Sequence, residues 1–118
     1  MSIFTYPTLL SATIANGAAL SGPVDLDDKS LVAIVMPGAW TAAPLTFQCS
    51  VDNGATWNNV FDATGSEVSI SAATGTHILI EPAKFVGAKL IRLRSGTSAA
   101  PVNQAAARTI TLVTRQVD

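Results

Sequence analysis

Turn-forming residues punctuate this chain at short intervals, and the segments between them have the length and composition of strands. Asn16-Gly17, Ser21-Gly22-Pro23, Pro37-Gly38, Asn53-Gly54, Thr64-Gly65, Thr74-Gly75, Val86-Gly87 and Ser95-Gly96 recur at short intervals. Glycine accepts the positive φ that tight turns demand, and proline cannot donate to a ladder. Between these breaks lie segments rich in Val, Ile, Leu, Thr and Phe, and most of them alternate. Leu45, Phe47, Cys49 and Val51 share one face, while Thr46, Gln48 and Ser50 take the other. Val68 and Ile70 alternate with Glu67 and Ser69, and Ile78 and Ile80 with His77, Leu79 and Glu81. Ile91 and Leu93 alternate with Arg92 and Arg94, and Ile110 and Leu112 with Thr109, Thr111 and Val113. Successive strand side chains point to opposite faces, so each segment has one oily side and one mostly polar side. The pattern predicts an all-β antiparallel β-sandwich, jelly-roll or Ig-like, of about eight short strands.

Leu31–Met36 is apolar on both faces. It reads as a central strand whose second face is covered by a loop or by another subunit. No segment sustains a helical period. Asn103–Arg108 carries helix formers but follows Pro101 and is too short to stand alone, so it reads as a loop. Pro82–Val86 has room for one helical turn. At 118 residues the chain fits a single domain over 1–118, without a linker or internal repeat. The stretch 1–19 is less regular and reads either as an N-terminal arm or as a first strand.

Charge narrows the function classes. Charged residues make up 13% of the chain, against about 25% in a typical soluble domain. Either part of this surface is covered by other subunits, or the domain is neutral and rich in small residues. Net charge is −1 and there is no basic run, which argues against nucleic acid as a partner. Arg92, Arg94, Arg108 and Arg115 make a local patch only if their strands are adjacent. The single cysteine, Cys49, has no intrachain partner for a disulfide and reads as a buried structural thiol. The N-terminal segment lacks the pattern of a signal peptide, and no apolar run is long enough to cross a bilayer. The expectation is a protein folded in the cytoplasm with no membrane partner.

Ser50-Val51-Asp52-Asn53-Gly54-Ala55-Thr56-Trp57 matches the pattern S-x-D-x-G-x-T-W, the Asp-box found in sialidase propellers and scattered through other β-proteins. Its physical logic is a hairpin lock. Asp52 accepts backbone N–H groups of its own turn, Gly54 supplies positive φ, Thr56 closes the turn with its hydroxyl, and Trp57 plugs the hairpin against the core. A propeller needs several copies and this chain has one, so the motif reads as a structural turn. Asp25, Asp27 and Asp28 read as a solvated turn, because calcium needs six to eight ordered oxygens. Convergence of Asp52, Asn53 and Asp62 on a cation is a weaker possibility of the same kind.

No catalytic constellation emerges. His77 is the only histidine and sits in an alternating strand, which puts it on a sheet surface. Zinc needs three or four His or Cys ligands, and His77 and Cys49 are the only two present. There is no Gly-x-Ser-x-Gly elbow and no His-Glu-x-x-His. The expectation is no catalytic residue, no metal and no cofactor. Trp40 lies in or beside a loop, and either offers a platform for a sugar or an interface or folds over the end of the core. Ser95–Gln104 is a long polar loop, either mobile or pinned by a partner.

Four blocks taken together carry a resemblance: Leu20–Leu26, LVAIVMPGAW over Leu31–Trp40, LTFQCSVDNGATW over Leu45–Trp57, and Ile91–Thr97 continuing to Asn103-Gln104. Their order resembles small proteins encoded in the structural-gene clusters of tailed bacteriophages and prophages, over residues 20 to 113. The resemblance implies a virion component, first a capsid decoration or auxiliary protein, next a tail- or baseplate-associated β-domain. It implies the major capsid protein or other virion proteins as partners, together with self-association. A carbohydrate-binding module facing host glycans is the competing reading. The candidate partner contacts are Ile3, Phe4 and Tyr6 in the N-terminal stretch, Trp40, and Ser95, Thr97, Asn103 and Gln104 in the long loop.

Overall fold

The computed structural model describes residues 7–116. The candidate contacts Ile3, Phe4 and Tyr6 lie outside the described residues. Eight strands follow in order: β1 Thr8–Ile14, β2 Val24–Asp25, β3 Ser30–Val35, β4 Leu45–Ser50, β5 Asn58–Asn59, β6 His77–Leu79, β7 Leu90–Ser95 and β8 Arg108–Arg115. A 3-10 turn, Pro82–Phe85, stands where the sequence leaves room for one helical turn.

The strands form two four-stranded sheets, one in the order β1-β8-β3-β6 and the other β2-β7-β4-β5. Every pairing is antiparallel. The pairs β1 with β8, β2 with β7, β3 with β6 and β4 with β5 are nested and alternate between the sheets. That is a long hairpin rolled over itself, a jelly roll. The all-β sandwich expected from alternation is therefore present, and its topology is the jelly roll rather than the Ig-like alternative. The first part of the chain, left open between arm and strand, contributes β1, paired with β8 over its whole length.

The core is assembled from the oily sides of the strands other than the short β5, whose Asn58 and Asn59 are both exposed. Ala12 and Ile14 of β1, Ile34 of β3, Leu45 and Phe47 of β4, Ile91 and Leu93 of β7, and Ile110 and Leu112 of β8 are all buried. Phe85 enters from the 3-10 turn and meets Phe47 edge to face, with ring centroids 5.0 Å apart. Pro82 opens that turn, where its fixed φ suits a helical start and its missing N–H leaves no bond unmade.

The doubly apolar segment has a local explanation. β3 lies between β8 and β6, and its register shifts between Leu31 and Ala33. The bulge reverses the alternation, so Leu31 and Ile34, three apart, both turn inward and are fully buried. Ala33 and Val35 are left for the outer side. In two places the pattern overreaches. Glu67–Ile70 alternates as expected but forms only isolated bridges, Phe61 to Glu67 and Leu45 to Ile70, rather than a strand. Val51 belongs to the turn after β4 and is 94% exposed, not part of the oily face.

Removing the Phe85 ring leaves a cavity against Phe47 that the short turn cannot fill. Phe85→Ala should lower unfolding free energy by about 3–5 kcal/mol. The check is the urea midpoint at unchanged slope. A loss below about 1 kcal/mol would mean the ring is not part of the packed core.

Candidate functional site

The Ser50–Trp57 hairpin is a closed hydrogen-bond circuit. The Ser50 hydroxyl donates to Asp52 Oδ1 at 2.8 Å and accepts the Gly54 N–H at 2.8 Å. The Thr56 N–H donates to Asp52 Oδ1 at 2.8 Å. Asn53 and Gly54 take positive φ, 60° and 93°, as the motif requires. The Thr56 hydroxyl and amide, then the Ser50 hydroxyl, hold the Asp52 carboxyl below the usual carboxylate range. A second turn copies the device. Asp62 Oδ1 accepts the Thr64 hydroxyl at 2.6 Å, the Thr64 N–H at 2.9 Å and the Ser66 N–H at 3.2 Å. These bonds, that of the Thr64 hydroxyl foremost, hold Asp62 low as well. Each carboxylate is bound within its own turn. Among the described residues no group of three His, Cys, Asp or Glu gathers where it could hold a metal ion.

Trp57 departs from the expectation. It does not plug the core. It is half-buried on the outer face of the second sheet, with the Arg92 guanidinium 4.1 Å from its ring centroid. The reason is parity: Ser50 faces outward on β4, and the hairpin register sets Trp57 beside it. Around this pair the outer face forms a continuous polar ladder. Arg92 Nη2 donates to Gln48 Oε1 at 2.7 Å, and Gln48 Nε2 donates to Asn59 Oδ1 at 3.2 Å. Asn59 Oδ1 also accepts Arg94 Nη1 at 2.9 Å. Arg94, only 5% exposed, completes its set with Thr46 Oγ1 at 3.0 Å and Glu67 Oε2 at 2.8 Å. Glu67 in turn accepts the Ser98 N–H at 3.2 Å, which ties the long loop to the ladder.

The long loop is pinned by this chain itself. Gln104 is buried, and both ends of its amide are satisfied. Its Nε2 donates to Thr41 O at 3.0 Å and Ser95 Oγ at 2.7 Å, and its Oε1 accepts Thr41 N–H at 2.8 Å and Arg108 Nε at 3.1 Å. Ser95 is fully buried too. Ser95 and Gln104 thus brace the loop from within, which corrects the expectation that they face a partner. Thr97 is half-buried and Asn103 exposed, so these two remain at the surface. Gly96 is locked at φ 93°, and a Cβ there would stand 2.5 Å from the Ala100 carbonyl oxygen. Trp40 is half-buried and packs against the core, its Nε1 donating to Ala43 O at 3.0 Å. It lies over the core rather than standing free as a platform.

The outer face of the first sheet is different in kind. The register aligns Leu9, Val113, Ala33 and Leu79 in one row across all four strands. Ser11, Thr111, Val35 and His77 form the next row, and Thr13 meets Thr109 beyond it. Leu79 is 82% exposed and Leu9 64%. Between these rows there is no Asp, Glu, Lys or Arg; Arg115 stands at one margin. His77 is exposed on β6, while Cys49 lies in the other sheet, partly packed against the core with burial pushing its thiol pKa up. The four arginines do not form one patch, because β7 and β8 belong to different sheets. Asp25 pairs with Lys89 at 3.1 Å and Asp28 with Lys29 at 3.3 Å. A depression of about 370 Å³ between that edge and the Asp52 turn is lined by Asp25, Ser50, Val51, Asn53, Gly87, Lys89 and Leu90.

The Arg94–Glu67 pair and the Gln104 brace were not foreseen from sequence. Alternation marks Arg94 as outward-facing, but nothing local names Glu67, 27 residues earlier, as its partner. No protein-family model and no curated protein matches this chain.

Two expectations follow. Glu67→Gln leaves the Arg94 guanidinium buried without a counter-charge and should cost about 3 kcal/mol by denaturation, whereas Glu81→Gln, on the exposed surface, should cost almost nothing. The second concerns acid. Asp52 and Asp62 have folded pKa values below their unfolded ones. Their contribution is present above about pH 4 and is lost as pH falls through the folded values. Thermal midpoints taken downward from pH 5 should drop less steeply for the Asp52→Asn/Asp62→Asn variant than for the parent. Parallel curves would show that the two turns do not sense acid.

Proposed function

We propose that this chain is a non-enzymatic structural protein of a tailed-phage virion, folded in the host cytoplasm, that docks on the head as a capsid decoration or auxiliary protein. The observation that carries this reading is the outer face of the first sheet. A four-stranded face with two exposed leucines and no Asp, Glu, Lys or Arg between its rows is well suited to a protein contact. The jelly roll supports it more weakly, since that architecture serves viral capsids but also lectins and enzymes. The resemblance of the block order to phage structural proteins adds to it. The major capsid protein is the proposed partner, together with neighbouring copies of this chain. Stabilisation then follows from linkage: a protein that binds only the assembled shell lowers its free energy relative to the disassembled state.

Capsids carrying this protein should survive heating or chelation better than capsids lacking it. Leu9→Lys/Leu79→Lys should fold normally yet be depleted from purified particles, with heat resistance falling in step. Hundreds of copies per virion are expected. Six or twelve copies would move the protein to the tail or baseplate, and equal heat resistance with and without it would remove the stabilising role.

A further inference from the structure

The outer face of the second sheet carries a charge that the chain does not answer. Arg94 has Glu67 at 2.8 Å, but Arg92, two residues away on the same face, has no carboxylate within ion-pair distance among the described residues. Its Nη2 is held by Gln48, its Nε is buried without a hydrogen-bond partner, and Nη1 makes no hydrogen bond among the described residues. Trp57 lies under the guanidinium plane. Partial burial pulls the Arg92 pKa down. The carboxylates around it are otherwise engaged: Asp25 with Lys89, Glu67 with Arg94, and Asp52 within its own turn. The ring below and the amide beside it fix the fork's orientation in advance, so little rotamer freedom is lost when an acceptor arrives. Arginine and tryptophan are also the residues most enriched at the energetic centres of protein interfaces.

We propose that the Arg92–Trp57 pair is a recognition point for a carboxylate side chain on an acidic stretch of a partner protein. The incoming carboxylate meets Nη1 of Arg92, with the Trp57 ring and the Gln48 amide holding the guanidinium in place. This assignment does not depend on the virion reading, which concerns the opposite sheet.

The test is a titration of the intact, isotopically labelled protein with poly-L-glutamate at low ionic strength. The guanidinium N–H signals of Arg92 and the indole N–H of Trp57 report the site. Both should move together, and added salt should reverse the shift. Arg92→Lys should weaken the interaction at least about tenfold, because an ammonium lacks the planar fork, and Arg92→Gln should abolish it. Backbone amide dispersion verifies that each variant is folded, and Arg92→Lys serves if Arg92→Gln is not. No shift at millimolar glutamate residues, or equal binding by Arg92→Lys, would overturn the assignment. A response to polygalacturonate with none to poly-L-glutamate would overturn it in favour of an acidic sugar.

Discussion

All the long strands of this molecule have one oily side to hide, and laying two sheets face to face is what hides them. β8 shows how tight the demand is: Ile110, Leu112 and Thr114, on one side of a single strand, are all fully buried. The hydroxyl of Thr114 is tolerated there because it donates to the Thr8 carbonyl at 2.9 Å. The bulge in β3 and the phenylalanine carried in by the 3-10 turn serve the same end. One re-aims a strand and the other fills what the strands leave. Once the interior is fixed, rims and outer faces are the surfaces left for other molecules.

Those two faces are unlike each other for electrostatic reasons. The first carries apolar and hydroxyl side chains with almost no charge, so a neighbour meets no ionic repulsion there. The second is a lattice of side-chain hydrogen bonds around Arg94. A guanidinium this buried is tolerable only with its acceptors in place, and they come from β4, from β5 and from the returning segment at Glu67. The cost of mispairing any of these segments is therefore high, which favours one register over its neighbours. The short strand β5 and the bridge-only segment after it have few ladder bonds of their own, and this side-chain lattice holds them to the sheet.

The sequence was readable wherever the physics was local. Period-two alternation correctly turned Phe47, Ile91, Leu93, Ile110 and Leu112 inward, and turn chemistry identified Asp52 as the acceptor of its own turn's N–H and Gly54 as its positive-φ residue, but not the Ser50 hydroxyl that joins them. It failed where a distant residue decided. Trp57 has the size of a core plug, but hairpin register set it on the outside, against Arg92. Ser95 and Gln104 look like polar loop residues, yet the loop folds back and encloses them. Leu31–Met36 reads as doubly buried because a bulge is invisible in a hydrophobicity pattern. The jelly-roll pairing is likewise non-local, since alternation says which side of a strand is oily but not which strand lies next to it.

The nesting of strand pairs also dictates how this chain must fold. β4 and β5 are close neighbours in sequence, but Thr8 and Thr114, which the outermost pair brings together, are separated by 106 residues. High contact order of this kind places folding in the millisecond-to-second range typical of all-β domains rather than the microseconds of helical bundles. The closure of the first strand on the last requires most of the polypeptide to have been synthesised. Until then β1 and β3 lack β8, the strand that lies between them, and their unpaired edges are the segments most open to association with other nascent chains.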